Sequence, residues 1–309
     1  MKVIDDHSID FDAYLKGPDE GASVRPASDW LDATLEAFTR PVHAFGAALP
    51  WPTTQNSIRL RHGELSIWPG MNGHGKSMMI NQVVLHLLAQ GEKVCICSME
   101  MKPHETMQRM CRQAFGTSAP RITDIKELHQ WTDGRLWLYD QQGQVTPDRV
   151  IAVGRYCHEI GINHLVVDNL LSCGIPEDGY NDQKAFVLAL ATHAHDTRQS
   201  VHLLAHSRKG KDELSPPNKY DVRGSASITD LADNVFVVYR NKRKEKELEE
   251  GRGDPQEYDA LMIVDKHRHG EWEGRIPLWF DKKSQSYVEH YNEQPKAMQL
   301  FPAEMEVDF

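Results

Sequence analysis

Gly70, Met71, Asn72, Gly73, His74, Gly75, Lys76 and Ser77 read GMNGHGKS, a GxxxxGK[ST] signature set between an apolar run and a helical one. That spacing suits phosphate chemistry. Closely spaced glycines let backbone amides face an anion, and the helix that follows presents its unpaired N-terminal amides. Lys76 can reach the β and γ phosphates, and the Ser77 hydroxyl can hold Mg2+. The next apolar run closes on SMEM, which puts Glu100 where a carboxylate could orient and deprotonate an attacking water. The run HLVVD ends in Asp168, the expected second anchor for Mg2+. A glutamate after a strand is common on any surface, and a strand-terminal aspartate also serves in turns. Beside GMNGHGKS the functional reading of Asp168 is the stronger one. ATP and Mg2+ are the implied ligands.

The elements that must position these residues follow from periodicity. An apolar strand over 65–68 precedes the glycine-rich turn, a helix over 77–89 follows it, and Gly91 stops that helix ahead of a strand over 93–98. Helices are expected over 104–115, from Pro147 with Thr146 as its cap, over 183–198 and around 225–232. Strands are expected over 135–139, 164–168, 201–205, 234–240, 260–266 and 275–280. Strands alternating with helices imply an α/β fold with a mostly parallel central sheet. The last strands, with no helices between them, imply an antiparallel extension at one edge. Residues 1–58 show only short helical patterns, at 29–38 and around 11–15, and read as an N-terminal arm or linker. Residues 59–290 read as the ATPase domain and 291–309 as an acidic C-terminal tail ending AEMEVDF. The mixed-charge run RNKRKEKELEEGRG at 240–253 reads as a solvated loop.

Composition narrows the class. The chain has 309 residues, 40% of them hydrophobic and 26% charged, enough for one large core with appendages. Its apolar runs are strand-sized, far short of a bilayer span, and the acidic N-terminus lacks the pattern of a secretion signal, so a cytoplasmic location is expected. Five cysteines with no CxxC pair fit neither a disulfide framework nor a zinc cage, and buried reduced thiols are expected. Sixteen histidines invite a metal reading, yet their spacing along the chain carries no ligand motif; His193 and His195 lie two apart and would not face each other on a helix. The net charge of −10 argues against wholesale nucleic-acid binding, so DNA contacts would fall to locally basic loops. The stretch 207–223 is such a loop, with Arg208, Lys209, Lys211, Lys219 and Arg223 among glycine and prolines. The loop at 172–181 is a second candidate.

GMNGHGKS, CSMEM, HLVVDN, LLAHSRK, VRGSASITDLADNVFVVYRNK and MIVDKHRHG occur in the order found in hexameric replicative helicases. Over about residues 60–285 the sequence resembles the RecA-like helicase domain of the DnaB, Twinkle and phage primase-helicase group. The VRGS…LAD…YRN block and the KxR of Lys266 to Arg268 are more specific than the phosphate loop, which many ATPases share. The resemblance implies roles. Glu100 would be the catalytic base and Asp168 the Mg2+ carboxylate, with His206 as γ-phosphate sensor. Lys266 and Arg268 would reach a neighbour's ATP across a subunit boundary, Arg268 as arginine finger. Arg240 and Phe280 would sandwich the adenine. The basic loop would line a central channel and hold single-stranded DNA by its phosphates. The resemblance further implies a ring of about six, an arm docked on the next subunit, and 5′ to 3′ unwinding of forked DNA. A histidine at the sensor position leans toward the Twinkle and phage branch, and the acidic tail toward contact with a replicative polymerase or primase. With 58 residues ahead of the core, neither a primase half nor a DnaB-type helical domain is expected. The alternative reading is a RecA-like filament or recombination protein, or a helicase-accessory ATPase, that does not unwind; the KxR after YRN argues against a recombinase.

Overall fold

A computed structural model describes residues 2–4, 9–11, 13, 26–39, 46–141, 145–176, 178–207, 214–217, 221, 227–270 and 272–301. Its strands are β1 (Lys2–Ile4), β2 (Leu65–Gly70), β3 (Val94–Ser98), β4 (Leu136–Tyr139), β5 (His164–Asp168), β6 (Ser200–His206), β7 (Asn234–Arg240), β8 (Ala260–His267), β9 (Gly274–Asp281) and β10 (Ser286–Val288). Among the described residues they form one ten-stranded sheet in the order β1-β4-β3-β5-β6-β2-β7-β8-β9-β10. Pairing is parallel from β1 through β7 and antiparallel from β7 to β10. The parallel part behaves as its composition requires. Helices cover both faces, so VCICS and LWLY are buried at every position rather than at alternate ones.

Side-chain alternation divides the core into two. Cys95 and Cys97 of β3 enter one cluster, with Val150, Val153 and Cys157 of α5 (Pro147–Glu159) and Phe186 to Ala194 of α6 (Tyr180–Thr197). Val94 and Ile96 enter the other, against α2 (Lys76–Ala89), α3 (Pro103–Phe115) and α4 (Ile122–Thr132). All five cysteines are buried and free; burial pushes Cys111 up to about 11 and Cys173 up to about 12, which keeps them protonated thiols. The Thr146 cap forms, its hydroxyl accepting from the Arg149 amide at 3.4 Å.

Several elements escaped the sequence pattern. α4 occupies a stretch with no assigned element, its start fixed by the Asp124 carboxylate accepting from the Arg121 amide at 2.8 Å. Residues 240–253 are not simply the solvated loop that mixed charge suggests, because Lys242–Glu249 forms α8. The Asn241 side chain caps it, accepting from the Lys244 amide at 3.1 Å, and Lys244 reaches Asp259 at 2.7 Å. Lys, Arg, Glu and Leu are strong helix formers, so a cap and one anchor suffice. Nor is the N-terminal segment only helical. β1 extends the sheet beside β4, α1 (Leu31–Thr39) is exposed, and Ala47, Leu49 and Trp51 sink into the second cluster. α7 is Ser227–Leu231, a short described part of the helix expected near 225–232.

Trp51 ties this segment to the far edge of the sheet: it is 2% exposed, and its indole Nε1 donates to the Tyr287 carbonyl at 3.2 Å. Trp51→Ala is expected to cost about 3–5 kcal/mol of stability, read as a shift in the thermal or denaturant midpoint. A change below about 1 kcal/mol would show that this segment is not part of the cooperative core.

Candidate nucleotide and active site

Parallel strands all end on one side, and β2, β3, β5, β6 and β7 deliver Gly70, Ser98, Asp168, His206 and Arg240 to the same sheet edge. Ligands of open α/β sheets gather there. The glycine-rich turn leaves β2 at Gly70 and enters α2 through Gly75, whose φ of 87° is left-handed. A side chain at Gly75 would stand 2.0 Å from the Tyr287 hydroxyl, so both conformation and space demand glycine. Gly73, also left-handed at 74°, faces open space where a phosphate would lie. His74 is buried and anchors the turn, its Nδ1 accepting from the Arg240 amide at 3.2 Å. Asn72 and Gly73 are exposed, and Met71 is buried.

The charged groups converge. Lys76 Nζ donates to the Gly70 carbonyl at 2.9 Å and the Met71 carbonyl at 3.1 Å, and lies 3.4 Å from His206 Nδ1. Burial lowers its pKa to about 8 despite the opposing pull of Asp168 and Glu100. The Ser77 hydroxyl donates to Asp168 Oδ2 at 2.7 Å, so the two groups expected to hold Mg2+ already touch. Burial raises Asp168 to about 6, with Glu100 adding to the rise while Ser77, Lys76 and Arg109 oppose it. Exposed Glu100 accepts from the Asn169 side-chain amide. Open glycine backbone, a cation, and a hydroxyl beside a carboxylate fit a nucleoside triphosphate with Mg2+.

A cavity of about 270 Å3 adjoins the turn, lined by Gly75, Met78, Arg240, Glu245, Phe280 and Tyr287. Arg240 is held by Glu245 of α8, and Phe280 lies against Tyr287 with ring centroids 5.1 Å apart. The two residues expected to sandwich a base thus line one pocket.

Lys266 and Arg268 lie elsewhere. β8 runs antiparallel, so Ala260 sits opposite Arg240 at the nucleotide edge while His267 sits opposite Asn234 at the other end. Eight strand residues span about 25 Å. Lys266 donates to the Thr229 and Asp230 carbonyls at 3.0 Å each. Arg268 pairs with Asp233 at 2.9 Å, as an ion pair rather than a directed hydrogen bond, and its side chain is 40% exposed. Arg208, Lys209, Lys211, Lys219 and Arg223 lie outside the described residues, as does the tail from 302.

Two further residues enter the site without a role assigned to them from the sequence. Asn169 bonds Glu100 and also accepts from the amides of Leu171 and Ser172 at 2.9 and 3.3 Å, joining Glu100 to the turn that follows β5. Arg109 comes near Asp168 from α3, where a lone arginine on an amphipathic helix looks like surface.

Residues 57–289 match the DnaB-like helicase C-terminal domain family. The chain belongs to that family. It is 25% identical over 224 residues to the chloroplastic/mitochondrial Twinkle homolog protein of Arabidopsis thaliana, an alignment covering 65% of this chain and 31% of that protein. This chain therefore spans about a third of that relative's length. Among solved structures, an ATPase domain superposes with a TM-score of 0.69 at 16% identity, over 88% of this chain and all of that one. A DnaB-like replicative helicase studied with primase superposes with a TM-score of 0.71 at 16% identity, over 85% of this chain and 68% of that one. The fold is the RecA-like ATPase fold of DnaB helicases.

The two shifted groups set a pH window. Asp168 must lose its proton to hold a cation, and protons compete below about 6; Lys76 must keep its proton to meet phosphate, and loses it above about 8. Mg2+-nucleotide affinity is expected to peak between these values and to fall up to about tenfold per pH unit on the acid side. Fluorescent-nucleotide titrations check this, and Lys76→Ala should abolish hydrolysis across the range. Flat affinity from pH 5 to 9 would remove both groups from nucleotide binding.

Proposed function

We propose that this chain is an ATP-dependent replicative DNA helicase that hydrolyses ATP at the interfaces of a six-membered ring and unwinds forked DNA 5′ to 3′. The observation that carries the reading is the division of the catalytic set by the sheet. Lys76, Ser77, Glu100, Asp168 and His206 share one edge, and the Lys266 and Arg268 pair sits at the opposite end of β8. Residues held about 25 Å from their own nucleotide pocket cannot reach it, which favours a role at a neighbour's. In such a ring Ser77 and Asp168 hold Mg2+, which when bound offsets phosphate charge. Glu100 takes the proton of the attacking water, and Lys76 with His206 holds the γ-phosphate. Arg268 leaves Asp233 to reach the phosphate next door.

DNA binding falls to the basic stretch at 207–223, which follows directly on His206, and to the turn after Asp168. Asn169 links that turn to Glu100, a route by which an occupied channel alters the catalytic base. The organising contact of the ring is α1. Leu31, Leu35 and Phe38 are 61%, 54% and 86% exposed, and Trp30, in the 3-10 turn just before the helix, is 51% exposed, a face that needs an apolar partner. A second copy offers one in the cavity of about 630 Å3 between α3 and α4, lined by Met107, Cys111 and Ile125 among others. The acidic tail is the candidate contact for a polymerase or primase.

Two experiments test this reading. Leu35→Glu with Phe38→Glu should shift the assembled protein toward monomers in light scattering and lower DNA-stimulated hydrolysis in step; an unchanged mass would move the ring contact away from α1. Arg268→Ala should reduce hydrolysis roughly a thousandfold while sparing nucleotide binding. Mixed with Glu100→Ala, it should regain activity above the sum of the two, since some interfaces then join an intact Glu100 to an intact Arg268. A mixture that exchanges subunits yet stays inactive would overturn the shared site. Hydrolysis without fork unwinding would favour a filament-forming or accessory ATPase instead.

A further inference from the structure

At the sheet edge opposite the nucleotide, three side chains far apart in sequence meet. His62 precedes β2, Glu92 precedes β3, and His164 is the first residue of β5, the partner of Val94 in the β3 register. One ligand atom from each lies within 4.8 Å of the others. His62 Nε2 is 3.1 Å from Glu92 Oε2, and His164 Nε2 is 3.5 Å from the same oxygen. We propose that His62, Glu92 and His164 bind one Zn2+ ion.

Geometry, donor chemistry and a weakly partnered buried imidazole support the site. Tetrahedral zinc with bonds near ~2.05 Å holds its ligand atoms about 3.4 Å apart, so two of the three separations already fit. The third, between the two imidazoles, is no more than 4.8 Å and can close through His62, whose side chain is 38% exposed. Two imidazoles and a carboxylate form the borderline donor set that suits zinc and that Mg2+ does not favour. His164 is fully buried, and its Nε2 faces the Glu92 carboxylate at 3.5 Å, a long contact outside good hydrogen-bond geometry. A buried imidazole atom so weakly partnered is costly, and a cation between it and the carboxylate would satisfy both.

The other nitrogen of His164 is held as metal ligands commonly are. Nδ1 lies 3.0 Å from His202 Nε2, with the two rings nearly parallel and their centroids 5.4 Å apart. Before zinc binds, the Trp68 indole donates to His202 Nδ1 at 3.4 Å, which puts the shared proton on His202 Nε2 and leaves His164 protonated at Nε2. Zinc takes the Nε2 lone pair. The His164 proton then resides on Nδ1 and is donated to His202 Nε2, and His202 carries its own proton on Nδ1, where it meets the Trp68 indole N–H, so that these two buried donors must move apart at some cost to zinc affinity. Both imidazoles stay neutral throughout. His62 and Glu92 also line a cavity of about 650 Å3 shared with Glu64, His195 and His269, so a fourth position is open to water or a further ligand.

Calorimetric titration of the metal-stripped 309-residue chain with ZnCl2 tests the site, with Co2+ absorption reporting the geometry. One Zn2+ per chain, a visible tetrahedral Co2+ band, and a rise in melting temperature on zinc addition are expected. His62→Ala, at a half-exposed position, and Glu92→Gln, which keeps a hydrogen-bonding amide, should each weaken Zn2+ by at least about tenfold and abolish the melting shift. Asp168→Asn, at the nucleotide edge, should leave it in place. No zinc binding, or binding that survives both variants or disappears with Asp168→Asn, would overturn the proposal and leave an ordinary carboxylate–histidine contact.

Discussion

Two opposite charges buried together at the ends of parallel strands set the terms for this molecule. Lys76 and Asp168 are each less than a tenth exposed, and burial pushes both toward neutrality. Neither could be held there without partners. The carbonyls of Gly70, at the end of β2, and of Met71 in the turn accept from Lys76, and the Ser77 hydroxyl donates to Asp168; those partners exist only because β2, α2 and β5 meet at one edge. The pair is also poised for exchange. Phosphate and cation would replace the contacts that each group makes in the free chain, so the strain of burying charge is relieved by the ligand itself.

The same sheet sets the strand-end cluster apart from the Lys266 and Arg268 pair. Parallel strands concentrate their chemistry at one end, and the first antiparallel strand after them, β8, carries its last residues to the other. There Arg268 rests against Asp233, whose second oxygen accepts from the Leu65 amide at 2.9 Å. The arginine is therefore held at the sheet edge opposite the glycine-rich turn of its own chain. Asn169 works on a shorter scale, binding the exposed Glu100 to the turn after β5.

Support for the site comes from segments on either side of the parallel strands. Trp51 and Leu49 fill the core beside α2, and Tyr287 of β10 closes over Gly75 from the far edge. The hydroxyl against Gly75 makes the edge strand part of the nucleotide pocket. α8 contributes through Glu245, which holds Arg240 at the pocket mouth.

Local chemistry is what the sequence determined by itself. GMNGHGKS, Glu100 and Asp168 were legible because a glycine-rich turn and strand-end carboxylates announce themselves within a few residues, and the buried parallel strands because β-branched and aliphatic runs have no other stable home. Elements with weak periodicity were not legible: β1 and β10 have three residues each, and α8 has scarcely an apolar face. Contacts between distant residues belonged to the tertiary structure alone. Spacing gave no hint of Asn169 on Glu100, Arg109 near Asp168, or Tyr287 over Gly75. The sixteen histidines showed no ligand motif along the chain, yet strand register brings His62, Glu92 and His164 together across 102 residues of sequence. Sequence spacing constrains neighbours along a helix or strand, while a sheet's register places its strand ends side by side however long the crossovers between them.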